Sequence, residues 1–331
     1  MKILSIIIPS YNTSKFIDKC IPTFISESIV DWLEILMIDD GSTDDTLEKA
    51  KSYQEKYPTC IKVITKENGG HGSAVNTGIE NSTGKYIRVV DGDDWVETDN
   101  LRKLIDYLSD CNFDVVLTPY YEVNQSKNFR KKLIDLPMEA GDYQFNQIVG
   151  RLKQFTIHMT TVRADILNSL PQKFTEKCFY DDFEFDMFIV PYVQNIGMFD
   201  EPVYDYLVGQ KNQSVSKASA LKNHMMMRTI IADSVRYFKH CKADRVYKRY
   251  MWENIMTISR SAYNIYLRSY NAEGAYDLLL SYDAFLKELS PRLQKAVIGQ
   301  NKYITMALES KRKFKIVGMV FNAYKLVGSY N

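Results

Sequence analysis

The chain has 331 residues, with 42 Lys+Arg against 41 Asp+Glu and 45% hydrophobic residues, enough for two domains or one with a large appendage. No apolar run approaches the roughly 18–20 residues that cross a bilayer. Five scattered cysteines (Cys20, Cys60, Cys111, Cys178, Cys241) form no Cys-x-x-Cys pair, which leaves zinc and thioredoxin-type chemistry unsupported and suits a reducing compartment.

The N-terminus enters a strand at once, Leu4–Ile8, with no signal-peptide architecture. Further apolar and β-branched runs predict strands at Leu33–Ile38, Ile61–Thr65, Tyr86–Val90 and Val115–Thr118. Between them, helical spacing runs over Lys15–Glu27, Thr43–Lys56, Gly72–Asn81 and Glu97–Ser109. Ser42 stands where an N-cap is needed for the second helix, with Asp45 at the capping-box position. This alternation is the pattern of a parallel α/β sheet.

Residues 120–215 are mixed and hold the acidic stretch Tyr180-Asp181-Asp182-Phe183-Glu184. From Ser216 onward helix-compatible stretches dominate, one of them broken by Pro291. This last third carries 20 basic and 8 acidic residues, which leaves residues 1–215 with a net charge of −11. The asymmetry fits contact with an anionic surface, a membrane leaflet or nucleic acid, and equally a well-solvated basic face. Near its end, Lys311-Arg312-Lys313 precedes Phe314, Val317, Val320, Phe321 and Tyr324, an apolar stripe at helical spacing. Such a stripe serves an interfacial helix or a terminal helix packed on the body.

Four predicted strands run directly into polar or glycine-rich residues. These are Pro9-Ser10-Tyr11-Asn12, Asp39-Asp40-Gly41-Ser42, Lys66-Glu67-Asn68-Gly69-Gly70-His71-Gly72 and Asp91-Gly92-Asp93-Asp94. In an open parallel sheet all four lie along one edge, at the carboxyl ends of the strands, where ligands bind. Asp91 and Asp93, two apart across Gly92, can turn toward one hard cation such as Mn²⁺ or Mg²⁺, shared with a phosphate. Asp39 can accept hydrogen bonds from a base or a ribose. The glycine-rich stretch permits close backbone approach, and the helix after it offers an N-terminus to an anion. The rim therefore suits a nucleotide diphosphate. A Rossmann dinucleotide site needs glycines after the first strand, and that loop has none. A phosphatase of the haloacid dehalogenase type needs a nucleophilic aspartate where Ile38 stands.

The loops Ile8-Pro9-Ser10-Tyr11-Asn12, Ile38-Asp39-Asp40-Gly41-Ser42-Thr43-Asp44, Asn68-Gly69-Gly70…Asn76-Thr77-Gly78 and Val90-Asp91-Gly92-Asp93-Asp94-Trp95 occur in this order. Together they resemble the family-2 glycosyltransferases of GT-A fold, closely over residues 1–110 and less closely over 111–215. The resemblance implies an α/β catalytic domain with a Rossmann-like, mostly parallel sheet. Its nucleotide-sugar-binding half would be 1–110 and its acceptor-binding half 111–215, followed by a basic α-helical C-terminal domain, 216–331. It also implies an inverting, metal-dependent hexosyl- or N-acetylhexosaminyltransferase. The donor would be a nucleotide sugar, most often a UDP-sugar, and the acceptor a hydroxyl of a glycan or lipid-linked glycan.

On that resemblance, donor contacts are expected at Pro9, Tyr11, Asn12, Asp39, Asp40, Lys66, Asn68, Gly70, His71, Asn76, Asp91 and Gly92. Asp93, with Asp91, matches the metal motif and implies Mn²⁺ or Mg²⁺. Asp182 takes the position of the base, and Trp95, His158, Asp181 and Glu184 fall on the acceptor side. Val75 stands where many members carry arginine, with His71 or Arg88 as candidate replacements. The Gln-x-x-Arg-Trp motif of processive synthases is absent, which favours transfer of a single sugar. By analogy the setting is bacterial capsule, exopolysaccharide or teichoic-acid-type assembly. The expected place is the cytoplasm, peripheral at the inner face of an anionic membrane through 216–331. A homodimer is compatible, and nucleic acid is not among the expected partners. Two other classes stay open: a non-catalytic sugar-nucleotide-binding partner of another transferase, and a sugar nucleotidyltransferase, whose glycine-rich signature beside the first strand is missing.

Overall fold

The computed structural model describes residues 2–124, 129–152, 154–209 and 217–328, without the side chains of 129, 130, 217, 218 and 324–328. The chain divides into two compact units, 1–210 and 211–331. The expected boundary at Ser216 lies outside the described residues.

The first unit contains β1 (Leu4–Ser10), β2 (Leu33–Asp39), β3 (Ile61–Thr65), β4 (Tyr86–Val89), β5 (Trp95–Val96) and β6 (Val115–Leu117). After them come β7 (Tyr120–Asn124), β8 (Phe129–Ile134), β9 (Gly141–Gln144), β10 (Thr160–Arg163), β11 (Asn195–Met198) and β12 (Tyr204–Leu207). One eight-stranded sheet has the order β3-β2-β1-β4-β10-β6-β11-β9, and a smaller one the order β5-β12-β7-β8. Strands β3, β2, β1 and β4 run parallel to one another. They are separated by α1 (Ser14–Cys20), α2 (Thr46–Lys56) and α3 (His71–Asn81). Every residue of β1 is buried, as a strand covered on both faces requires. The registers pair Ser10 with Asp39 and Asp39 with Thr65, so the loops that follow leave the sheet at one edge. Strand β10 then enters antiparallel between β4 and β6, joining both expected halves of the catalytic region in one sheet.

Helix α4 (Thr98–Asp110) buries Leu101, Leu104, Ile105 and Leu108. Three short helices follow, α5 (Phe145–Ile148), α6 (Ala164–Asn168) and α7 (Asp181–Ile189). Two local expectations need correction. The first helix ends at Cys20 and tightens into a 3₁₀ turn, Ile21–Phe24, where Pro22 cannot donate to a continuing α-helix. The second starts at Thr46, with Asp45 in the cap position and no side-chain cap bond. Ser42 instead accepts from the Asn12 amide at 3.0 Å. Trp95 also departs from the acceptor-side expectation. It is 8% exposed and packs with Val123 and Leu207, flanked by Phe16 and Tyr121, and the Lys19 ammonium covers its ring.

The described part of the second unit is helical, from α8 (Lys217–Lys222) and α9 (His224–His240) to α10 (Arg245–Arg268) and α11 (Ala275–Leu289). It closes with α12 (Pro291–Gly299), α13 (Lys302–Glu309) and α14 (Lys311–Gly328). Pro291 does separate two helices, and Ser290 caps the second by accepting from the Leu293 amide at 3.3 Å. The core is rich in tyrosine with paired hydroxyls: Tyr263 donates to Asp283 at 2.6 Å and Tyr282 to the Ser259 carbonyl at 3.0 Å. On α14 the expected stripe splits. Phe314 and Val317 are buried, whereas Ile316, Met319 and Val320 are exposed; the Tyr324 side chain lies outside the described residues. Among the described residues no helix is long and apolar enough to cross a membrane.

Candidate active site

At the rim of the large sheet, the loops after β1, β2 and β3 are fastened to one another. Asn12, in the left-handed region at φ 54°, accepts from the Thr43 amide at 2.8 Å. Asp39 is buried and accepts from the Ser42 amide at 3.1 Å. Asp40 is buried too. One of its oxygens accepts from the Gly69 amide at 2.9 Å and the Lys66 ammonium at 2.8 Å, the other from the Gly70 amide at 2.7 Å. The Asn68 amide group donates to the Asp40 carbonyl at 2.9 Å. The main-chain amides expected to receive a phosphate thus already hold a carboxylate of the chain itself. Asp40 and Gly70 thus shape the rim through bonds to each other, and Lys66 and Asn68 belong to the same knot.

The glycine-rich turn does permit a close approach, but to protein. Gly70 has φ +83°, and a Cβ there would meet the Lys177 nitrogen at 3.1 Å. A Cβ at Gly72 would meet the Thr175 carbonyl at 2.5 Å. Asn76 is buried and clamps Phe174, donating to its carbonyl at 2.9 Å and accepting from its amide at 3.0 Å. Both polar groups of its side chain are thus engaged by Phe174. Val75 is buried. Arg88 is 1% exposed and bonded to Thr161, Thr118 and the His158 carbonyl, so it lies inside the sheet and supplies no substitute arginine. Pro9 is buried, and its carbonyl would stand 2.8 Å from a Cβ at Gly92, so only glycine lets the acidic loop lie against β1. Tyr11 is 51% exposed and presents a ring at the rim.

In the loop after β4, Asp94 faces inward. It accepts from the Tyr204 hydroxyl at 2.6 Å and the Leu207 amide at 2.7 Å, while the Tyr204 oxygen accepts from the Asp91 amide at 3.1 Å. Burial, then the Asp91 and Asp93 charges, raise the Asp94 pKa well above the carboxylate range. Asp91 meets His71 Nε2 at 3.0 Å. Burial opposes its ionisation, yet the hydrogen bond and charge of His71 hold its pKa below the ordinary value. Asp93 has no side-chain partner among the described residues; burial and the Asp91 charge push it up to about 6.

Helix α7 opens the opposite wall, after Tyr180 in the left-handed region at φ 72°. Asp181 is buried and meets His71 Nδ1 at 2.6 Å. Burial opposes protonation of His71, but Asp181 and Asp91 raise its pKa well above the usual value, so both ring nitrogens donate. Asp182 is exposed to solvent and has no side-chain partner among the described residues. Crowding by protein around its carboxyl, then the Asp181 charge, push it up to about 7. Glu184 is fully buried and accepts from both the amide and the hydroxyl of Thr175, each at 2.7 Å; it braces the segment before α7 rather than facing an acceptor. His158 packs on Tyr206, Tyr204 and Tyr120 at 4.1, 5.0 and 5.5 Å between ring centroids. Its Nε2 has no hydrogen-bond partner among the described residues and lies 3.9 Å from Asp91. Burial lowers its pKa to about 4, so it stays neutral. Tyr204 and Tyr206 were not foreseen: tyrosine is abundant throughout, and nothing in their local sequence marks them.

The donor set suits a hard cation. Asp93 has no side-chain partner among the described residues, and the second oxygen of Asp91 faces the neutral His158 at 3.9 Å. Two other clusters have the reach of metal ligands, His71 with Asp181 and Asp182, and Asp91 with Asp94 and His158. In the first His71 is already bonded on both nitrogens, and in the second Asp94 is held by Tyr204 and Leu207.

Comparison with known proteins places the family and the fold. Residues 5–170 match the model of glycosyl transferase family 2. Chondroitin synthase of Escherichia coli is 27% identical over 261 residues, covering 76% of this chain but only 36% of the synthase. The chain thus spans little more than a third of that relative. Among solved structures, S. aureus TarS 1-349 in complex with UDP-GlcNAc superposes with a TM-score of 0.69 at 19% identity, covering 98% of this chain and 92% of that one. Mannosyltransferase PcManGT from Pyrobaculum calidifontis, in complex with GDP-Man and Mn²⁺, gives 0.54 at 16% identity, covering 97% and 87%. Sequence family and sheet order coincide, and the chain belongs to glycosyl transferase family 2, on a GT-A-like fold.

Proposed function

We propose that this glycosyltransferase is inverting and moves one sugar from a nucleoside diphosphate sugar, a UDP-sugar in the first instance, to a hydroxyl of a glycan or lipid-linked glycan. One observation carries the reading. Two carboxylates without side-chain partners among the described residues, Asp93 and Asp182, stand at the same end of the fold, joined through Asp91, His71 and Asp181. The exposed Tyr11 ring and the Asp39 loop offer a nucleoside stacking and polar contacts. Asp93 and Asp91 would hold Mn²⁺ or Mg²⁺, which when bound neutralises the diphosphate and stabilises it as a leaving group. Asp182 takes the proton of the acceptor hydroxyl, and a pKa of about 7 suits a base working near neutral pH. The hydroxyl oxygen bonds to the anomeric carbon as the opposite carbon–oxygen bond to the diphosphate breaks, which inverts the configuration. The ligands held in the related structures, UDP-GlcNAc in one and GDP-Man with Mn²⁺ in the other, support the donor class. A panel of UDP-sugars with Mn²⁺, read by thermal shift and then by UDP release, tests the reading. At least one sugar should stabilise the protein and be turned over; no response to any nucleotide sugar would overturn it.

The placement at an anionic inner leaflet rests on α14. Exposed Ile316, Met319 and Val320 lie beside Lys311, Arg312 and Lys315, and the helix carries no acidic residue. That pairing of apolar and cationic side chains suits a lipid surface. Co-sedimentation with phosphatidylserine vesicles at low salt tests it, and protein left in the supernatant would refute it.

A further inference from the structure

We propose that His71 is a positioning residue: it ties the acidic loop after β4 to the helix that bears Asp182. The inference rests on the reading of Asp182 as the base, and it assigns His71 a task other than contact with the donor. The imidazole sits between two carboxylates from distant parts of the chain, Nε2 on Asp91 at 3.0 Å and Nδ1 on Asp181 at 2.6 Å. Asp181 immediately precedes Asp182, so whatever fixes the Asp181 carboxylate also fixes the first turn of α7.

The backbone around His71 is built for this task. It is the first residue of α3, and the preceding Gly69 carbonyl accepts from the Lys177 amide. Five residues on, Asn76 grips both main-chain groups of Phe174. From the other side Glu184 grips Thr175. Residues 174–178 are thus stitched to α3 along one flank and to α7 along the other. His71 extends the stitching to the acidic loop, where Tyr204 holds the Asp91 amide and the Asp94 carboxylate. The base and the acidic loop then share one rigid frame. Misplacing a reacting group by about 1 Å costs on the order of 10²-fold in rate. Removing the imidazole would also leave Asp91, Asp181 and Asp182 to repel one another.

The test compares His71→Ala, His71→Gln, Asp181→Asn and the double variant His71→Ala/Asp181→Asn, using the UDP-sugar that releases UDP fastest. For His71→Ala we expect kcat to fall about 10²-fold, with the KM for donor and the Kd for UDP with Mn²⁺ changed less than about threefold. Asp181→Asn should cost a similar amount, and the double variant no more than either alone, since both remove one link. Hydrogen exchange should quicken in residues 174–189 of His71→Ala, a readout independent of turnover. Losses that fall on Kd rather than kcat would return His71 to donor binding and overturn the proposal, as would unchanged exchange or additive losses. Should the alanine variant fail to fold, His71→Gln gives the same split of kcat against Kd. Asp182→Asn serves as the separate control: if it retains turnover while 174–189 loosens in His71→Ala, the base assignment fails and the positioning role stands.

Discussion

The acidic loop at 91–94 and the start of α7 at 181–184 carry the same cargo, three carboxylates within four positions, and divide it in the same way. In each, one carboxylate faces inward and fastens backbone: Asp94 holds the Leu207 amide and Glu184 holds Thr175. In each, a second is linked to His71: Asp91 on one side and Asp181 on the other. In each, a third is left without a side-chain partner among the described residues, Asp93 and Asp182. Six acids of equal appearance therefore do three kinds of work. A protein that buries carboxylates must pair them or protonate them, so the two left open are the ones the fold gains nothing from keeping.

The comparison breaks first at the open pair. Asp182→Asn should lower kcat about 10³-fold, within the range for loss of a general base, while leaving UDP affinity near wild type and thermal stability no lower than wild type. Turnover retained at a tenth of wild type or better would remove the base from this helix. Asp93→Ala should abolish the part of UDP binding that Mn²⁺ adds, weakening it at least about tenfold, again without loss of stability; calorimetry with and without EDTA measures the difference. An undiminished Mn²⁺ effect would shift the cation to other ligands.

The fastening pair should behave in the opposite way. Asp94→Ala and Glu184→Ala each leave buried donors unpaired, which costs about 1–3 kcal/mol per group. Thermal unfolding should drop by several degrees, since about 1 kcal/mol moves a domain of this size by roughly 2–4 °C. If either variant is as stable as wild type while activity is lost, that acid belongs with the open pair.

The four parallel strands and the rim they form were legible because β1, β2 and β4 are almost wholly buried and read as apolar runs, and the edge strand β3, though half-exposed, is rich in β-branched residues. Their ends fell within one or two residues of the expected ones. Beyond Leu117 the strands are four to six residues long and carry polar side chains at partly or fully exposed positions; β10 even enters the sheet antiparallel, which no local pattern announces. The acids were legible as a group and not as individuals. Nothing in Asp39-Asp40 reveals that Asp40 closes on the amides of Gly69 and Gly70, because the partners lie some thirty residues on. Asn76 and Glu184 read as ligands for the same reason: a polar residue beside a motif carries no mark of the strap, here 174–178, that it is there to hold.

The smallest effect is the most discriminating, because it concerns Asp182 alone. Its carboxyl is pushed from 3.8 up to about 7, so the native state keeps a proton that the unfolded chain releases above about 4. Two consequences run in opposite directions as pH rises. Activity increases, because the base must be ionised, and the acid limb of the kcat profile should fall near pH 7. Stability declines across the same window, because folding there takes up a proton and every rise in pH disfavours that uptake. Asp182→Asn cannot titrate, so its melting temperature should fall less than wild type between pH 5 and pH 8, with both measured in EDTA. Parallel melting curves would mean that Asp182 ionises as an ordinary surface carboxylate, and the distinction between open and fastened acids would then rest on hydrogen bonding alone.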